Sequence, residues 1–97
     1  MIVKVVNDLW ITSDILFSPL DGRTQQVFRF TNTARDATVM GRAAAENVRQ
    51  FVQARVPKFN DASGKQSVLE FEVEPSDSPK GLFVVHGRQE VSVESEG

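Results

Sequence analysis

At 97 residues, with 40% hydrophobic content, seven Phe and one Trp, the chain has material for one hydrophobic core and is too apolar for intrinsic disorder. It has no cysteine, which excludes disulfides, thiolate chemistry and cysteine-ligated zinc, and such a composition suits a reducing cytoplasm. The formal net charge of -2 joins two unlike parts: residues 1–65 hold nine bases and six acids, whereas residues 66–97 hold two bases and seven acids, an asymmetry that bears on partners rather than on fold.

The opening residues, MIVKVVNDLW, lack a long apolar stretch behind a basic start. No apolar run approaches the roughly 18 residues of a membrane span, so neither export nor membrane insertion is expected. Alternating β-branched and aromatic residues predict strands near residues 2–6, 10–17 and 25–31, forming an antiparallel meander. Asn7-Asp8 is expected to turn the first connection, and Pro19-Leu20-Asp21-Gly22 places Pro and Gly for a β-turn in the second.

From about residue 34 to residue 56 the apolar period changes to about 3.6, with Ala37, Met40, Ala44, Val48, Phe51 and Val52 on one face, which predicts one long helix. Thr33 or Asp36 is placed to cap it, and Pro57 marks its far boundary. Gly41 would lie mid-helix, where its missing side chain suits close approach to the sheet. Asn60-Asp61-Ala62-Ser63-Gly64 reads as a loop, followed by strands near residues 67–74, 81–86 and 89–94. The expected fold is therefore α+β, one domain over residues 1–97: a single antiparallel sheet of five or six strands, in the order βββαβββ or βββαββ, with one helix on one face. The polar end, residues 95–97, is expected to fray.

The sharpest chemical pattern is Val68-Leu69-Glu70-Phe71-Glu72-Val73-Glu74, whose strict alternation puts Leu69, Phe71 and Val73 on one face and Glu70, Glu72 and Glu74 on the other. Alternate residues on a strand are about 6.6 Å apart, so the ladder is on the scale of a nucleic-acid phosphate repeat. Glu90-Val91-Ser92-Val93-Glu94 alternates in the same way, and Glu90 and Glu94 would extend the surface if the two strands adjoin; Asp77 lies just beyond the first. Opposed like charges destabilise a sheet, so such an accumulation points to a task. The plainer reading is a solvated strand face that keeps an edge soluble.

Other candidates are weaker. Arg35, Arg42 and Arg49 recur every seven residues and would form one helical stripe, but Glu46 is spaced to pair with Arg42 and Arg49 as on an ordinary solvated face. His86 is the only histidine, and no acid, nucleophile or metal partner for it is evident, which favours a structural or exposed role. Asp8, Asp14 and Asp21 sit beside turn signals and are better explained by turn chemistry. Trp10 is expected in the core, whereas Phe59, in a polar stretch, is a candidate for a surface anchor. The glycines are isolated and form no phosphate-binding loop.

The expectation is a non-enzymatic protein-binding domain with no catalytic residues, no metal and no cofactor. In its most specific form it is an acidic nucleic-acid mimic, with Glu70, Glu72, Glu74, Asp77, Glu90 and Glu94 occupying the basic site of a nucleic-acid-binding complex. Anti-CRISPR or anti-restriction inhibitors of phages and mobile elements work in this way, a class analogy only. The alternative is an assembly, adaptor or phage structural module that joins partners through an exposed sheet edge or face.

Overall fold

A computed structural model of the chain describes residues 1–63, 67–77 and 79–95. The fold is α+β: four strands, β1 (Ile2–Phe17), β2 (Thr24–Thr31), β3 (Ser67–Pro75) and β4 (Phe83–Glu94), and two helices, α1 (Arg42–Gln53) and α2 (Val56–Ser63). The strands form one antiparallel sheet in the order β2-β1-β4-β3. Both helices lie against the same face, and the molecule measures 54 × 35 × 20 Å.

The expected five or six strands become four because two anticipated breaks do not occur. Period-two alternation carries straight through Asn7-Asp8, where Asn7 pairs with Gln89 and Asp8 with Arg88, so cross-strand partners replace the expected turn. Gly87 likewise continues β4 rather than ending a strand: it is buried opposite Phe71, whose ring lies over it. The sheet is not a simple meander either. The first half of β1 pairs with β4 and its second half with β2, so the strands diverge past Trp10. Thr38–Met40 fills that divergence. The Thr38 N–H donates to the Ile11 carbonyl at 3.2 Å, the Ser13 N–H donates to Thr38 Oγ1 at 2.8 Å, and Met40 and Phe83 exchange two backbone hydrogen bonds at 2.8 and 2.9 Å.

This plug also explains why the expected helix over residues 34–56 is divided. Ala34–Asp36 is a single 3-10 turn, and extended backbone follows, because the β-branched pair Thr38-Val39 is recruited by the sheet. Thr33 precedes that turn without capping a backbone N–H, and its hydroxyl instead bonds Asp36 at 2.7 Å. Gly41 stands at the N-cap of α1, with open space where its side chain would be, so no close approach to the sheet requires it. Pro57 falls in the first turn of α2, where its missing N–H costs nothing, and the stretch read as a loop is helical through Ser63. The Pro19–Gly22 segment does turn β1 into β2, with Gly22 at φ 69°.

Ala45, Val48 and Val52 form one stripe on α1, and Val56 extends it at the start of α2. They meet Ile11, Leu69, Phe71 and Val85 from the sheet, with Phe28, Met40, Phe59, Val73 and Phe83 packed at the margin. Ala44 and Phe51, expected on that stripe, are exposed instead, because the buried stripe is centred on Ala45, Val48 and Val52, which turns each of them about 100° away from it. Each fully buried large apolar side chain contributes about 1.5–3 kcal/mol, and those contributions concentrate in this central patch. The far ends of the strands lie outside it. Among the described residues, no helix is long and apolar enough to cross a membrane.

Candidate functional site

Registration of the strands sorts every side chain onto one of the two sheet faces. With Leu69, Phe71, Val85 and Ile11 beneath the helices, the alternate residues Glu70, Glu72 and Glu74 of β3, His86, Arg88, Glu90 and Glu94 of β4, and Lys4, Val6, Asp8 and Trp10 of β1 share the opposite face. The two glutamate strands therefore adjoin, and Glu70, Glu72, Glu74, Glu90 and Glu94 stand on one surface. They are not an unbroken anionic ladder. Arg88 lies directly between Glu70 and Asp8 in one cross-strand row, and Glu74 is engaged by His86. Asp77 is exposed in the β3–β4 connection and, with Arg35, Glu74 and Trp10, borders a cleft at one end of this face.

The organising feature of the face is His86. Its Nδ1 lies 2.8 Å from Glu74 Oε1 and its Nε2 lies 2.9 Å from Asp8 Oδ1, and its ring stacks on Trp10 with centroids 4.7 Å apart and planes inclined by 13°. Trp10 and His86 are direct cross-strand partners, which brings the rings together. Two carboxylate acceptors are satisfied at once only when both ring nitrogens carry hydrogen, so the site favours imidazolium. Burial on its own depresses the His86 pKa, but the hydrogen bonds and negative charge of Glu74 and Asp8 outweigh it and hold the pKa above its ordinary value.

A His between two carboxylates suggests acid–base chemistry, but here neither ring nitrogen is left to meet a substrate and one ring face is covered by Trp10. The arrangement acts as a brace across β1, β4 and β3. Asp8 thus serves this brace rather than a turn, and Trp10 is half-buried on the uncovered face rather than in the core. Phe59 is half-buried and meets Phe30 edge-to-face at 5.5 Å, so it is not a free surface anchor. The arginine stripe does not form, since Arg35 precedes the helix. Arg42 lies over the Phe83 ring at 5.7 Å, and Arg49 pairs with Glu46, lowering the Glu46 pKa chiefly through their hydrogen bond.

A feature that residue-by-residue reading missed lies at the ends of the strands. Met1, Ile2, Val3, Val5, Val6 and Val93 are exposed at one end of β1 and β4, with Ile2 73% exposed; at the tip of the β1–β2 hairpin, Ile15, Leu16, Phe17 and Leu20 are exposed, Leu20 by 97%. The signal was present in the sequence. Five of the first six positions, and the Ile-Leu-Phe run before the turn, are more apolar than a half-solvated sheet requires. No family model, curated protein or solved structure matches this chain.

Proposed function

We propose that this chain is a non-enzymatic assembly module that joins polypeptides through the uncovered apolar ends of its sheet. The observation that carries this reading is the clustering of exposed large apolar side chains at those ends, away from the helices. Single exposed hydrophobes are ordinary, but contiguous ones on a small chain mark surfaces that are covered in use. The saturated His86 brace supports a binding role over catalysis, because it consumes the titratable groups that an active site would leave available.

The test is to replace the exposed apolar residues at both ends with polar β-formers, as in Val5→Thr, Val6→Thr, Leu16→Thr and Phe17→Thr combined. Mass and solubility are then compared with the unaltered chain over a wide concentration range. Concentration-dependent association of the unaltered chain, lost in the variant, is expected. An unaltered chain that stays monomeric and is no less soluble than the variant overturns the reading.

A second reading rests on the convergence of Glu70, Glu72, Glu74, Glu90 and Glu94 on one uncovered face. Such a face suits a basic protein surface, including the nucleic-acid site of another protein, and would give a salt-sensitive complex. Arg88, Lys4 and the His86 brace dilute the charge, which makes this the lesser reading. Charge reversal at Glu70 and Glu72 abolishes binding to a basic partner if it is right and leaves it unchanged if it is wrong.

A further inference from the structure

The edge of β1 that faces away from β4 is open over residues 2–8. Met1 and Ser95 exchange backbone hydrogen bonds, N–H of Ser95 to the Met1 carbonyl at 2.8 Å and the terminal amine of Met1 to the Ser95 carbonyl at 3.5 Å. Antiparallel ladders alternate, so the odd residues Val3, Val5, Asn7 and Leu9 direct their backbone groups toward β4, and Ile2, Lys4, Val6 and Asp8 direct theirs away. The same parity holds farther along, where the Ile11 carbonyl meets Thr38 on the β4 side. β2 occupies the other side only from Trp10 onward. Four N–H and four C=O groups therefore line an edge that no strand fills among the described residues.

Exposed side chains flank that edge on both faces: Ile2 and Val6 on one, Val3 and Val5 on the other. Natural edges of this kind are blunted by charge, proline or a bulge, and Lys4 and Asp8 are the only charged residues over this stretch, which has no proline. β3 offers a contrast. Two of its outward groups are met by the Gln53 side chain, whose Nε2 donates to the Leu69 carbonyl at 3.4 Å and whose Oε1 accepts from the Phe71 N–H at 2.9 Å.

Resting on the assembly reading above, we infer that the occupant is a second copy of this chain, its residues 2–8 paired antiparallel with these about a twofold axis, making one eight-stranded sheet. The register follows from sterics and charge. Only pairings of even residues with even residues bring the open backbone groups together. Lys4 opposite the partner's Lys4 places like charges face to face. Lys4 opposite the partner's Asp8 drives Ile2 of the incoming chain into Thr31 at Trp10.

Val5 opposite the partner's Val5 avoids both faults. It uses residues 2–8 in full and sets Ile2 opposite the partner's Asp8 and Lys4 opposite the partner's Val6. Lys4 then reaches the partner's Asp8 diagonally, within range of a long side chain. Asp8 is suited to this, since one oxygen bonds His86 while its side chain stays 52% exposed, and among the described residues Lys4 makes no ion pair of its own. A twofold contact is self-complementary by construction, so one edge satisfies both copies.

Val5 would stand on the axis as a non-hydrogen-bonded pair, whose Cα atoms lie about 4.5 Å apart, within disulfide range. The chain has no cysteine of its own, so Val5→Cys is a single-thiol reporter. Mild oxidation is expected to convert Val5→Cys, and not Val6→Cys, to a disulfide-linked dimer. Val6→Pro removes an outward N–H that the β1–β4 ladder does not use, and is expected to turn dimer into folded monomer. Lys4→Glu weakens association on the order of tenfold, because two contacts change sign. Failure of Val5→Cys to cross-link, with association persisting in Val6→Pro but lost on Phe17→Thr, overturns this pairing and leaves assembly standing through the hairpin tip. A chain that is monomeric throughout overturns both.

Discussion

The two faces of the sheet are built from alternate residues of the same strands, yet different forces hold them. Beneath the helices, Ile11, Leu69, Phe71 and Val85 meet Ala45, Val48, Val52 and Val56 through apolar burial alone. On the other face Trp10, His86, Asp8 and Glu74 meet through one ring stack and two charge-assisted hydrogen bonds. Burial of hydrocarbon is indifferent to protons, whereas the brace depends on the charge of an imidazole. Cavities and overpacking therefore act on one face and pH on the other, although the residues concerned are adjacent along the chain.

The largest effect is expected where the covered face is most tightly filled. Phe71 is 3% exposed and sits over Gly87, so close that a Cβ there would lie 2.5 Å from Cε1 of the ring. Phe71→Ala removes the ring and leaves a cavity, costing about 3–5 kcal/mol, enough to unfold much of a marginal domain. Gly87→Ala drives a methyl into the buried ring and costs about 1–3 kcal/mol through overpacking. Urea unfolding checks both. The comparison of faces requires each loss to be the same at mildly acidic and mildly alkaline pH, and a loss that varies with pH would join the two faces energetically.

The brace is expected to show the opposite behaviour. The His86 pKa is raised relative to the unfolded chain, where it lies near about 6.5. Protons are then bound more tightly in the folded state, so the stabilisation is fully present below about pH 6.5 and fades as pH climbs through the folded value. Asp8 and Glu74 are each substantially exposed, and solvent screening keeps this contribution modest. His86→Gln is expected to lose about 1–2 kcal/mol at acidic pH, and less at alkaline pH, through the two hydrogen bonds it weakens. Its unfolding midpoint should be nearly flat from about pH 5.5 to about pH 8.5, while that of the unaltered chain declines. Parallel profiles for the two proteins would remove His86 as the source of the difference between the faces.

Much of the covered face was legible in sequence, because its signals are local. Alternation in Val68–Glu74 gave both faces of β3, the Pro19–Gly22 turn gave the β1–β2 hairpin, and Val48 and Val52 lie on the expected helical face, although Ala45 rather than Ala44 or Phe51 completes it. The brace was not legible, because it joins Asp8 to His86 across 78 residues and exists only when β1 lies beside β4. Local chemistry pointed elsewhere: Asn7-Asp8 resembles a turn, and Gly87 resembles a break. Both assignments fail because distant partners, Arg88 and His86 for the one and the Phe71 ring for the other, change what those residues cost in a strand. Thr38 shows the same effect, drawn out of helix by open backbone groups on Ile11 and Ser13.

A smaller effect sharpens the comparison at the sheet's margins. Gln53 reaches from α1 to close the β3 edge with one donated and one accepted hydrogen bond, acting as a short length of neighbouring strand. Among the described residues, no side chain does this for β1 over residues 2–8. Gln53→Ala leaves the Phe71 N–H and the Leu69 carbonyl without that partner, at a cost of about 0.5–1.5 kcal/mol because water can partly replace it. The core beneath stays intact, so the change should be local: faster hydrogen exchange at the Phe71 amide, with exchange at the Val85 amide altered only by the small global loss. Exposing more unpaired edge is also expected to raise the tendency of the chain to associate. If Phe71 exchanges at the same rate in Gln53→Ala as in the unaltered chain, the side chain is not what protects that edge, and the contrast between the sheltered β3 edge and the open β1 edge loses its physical basis.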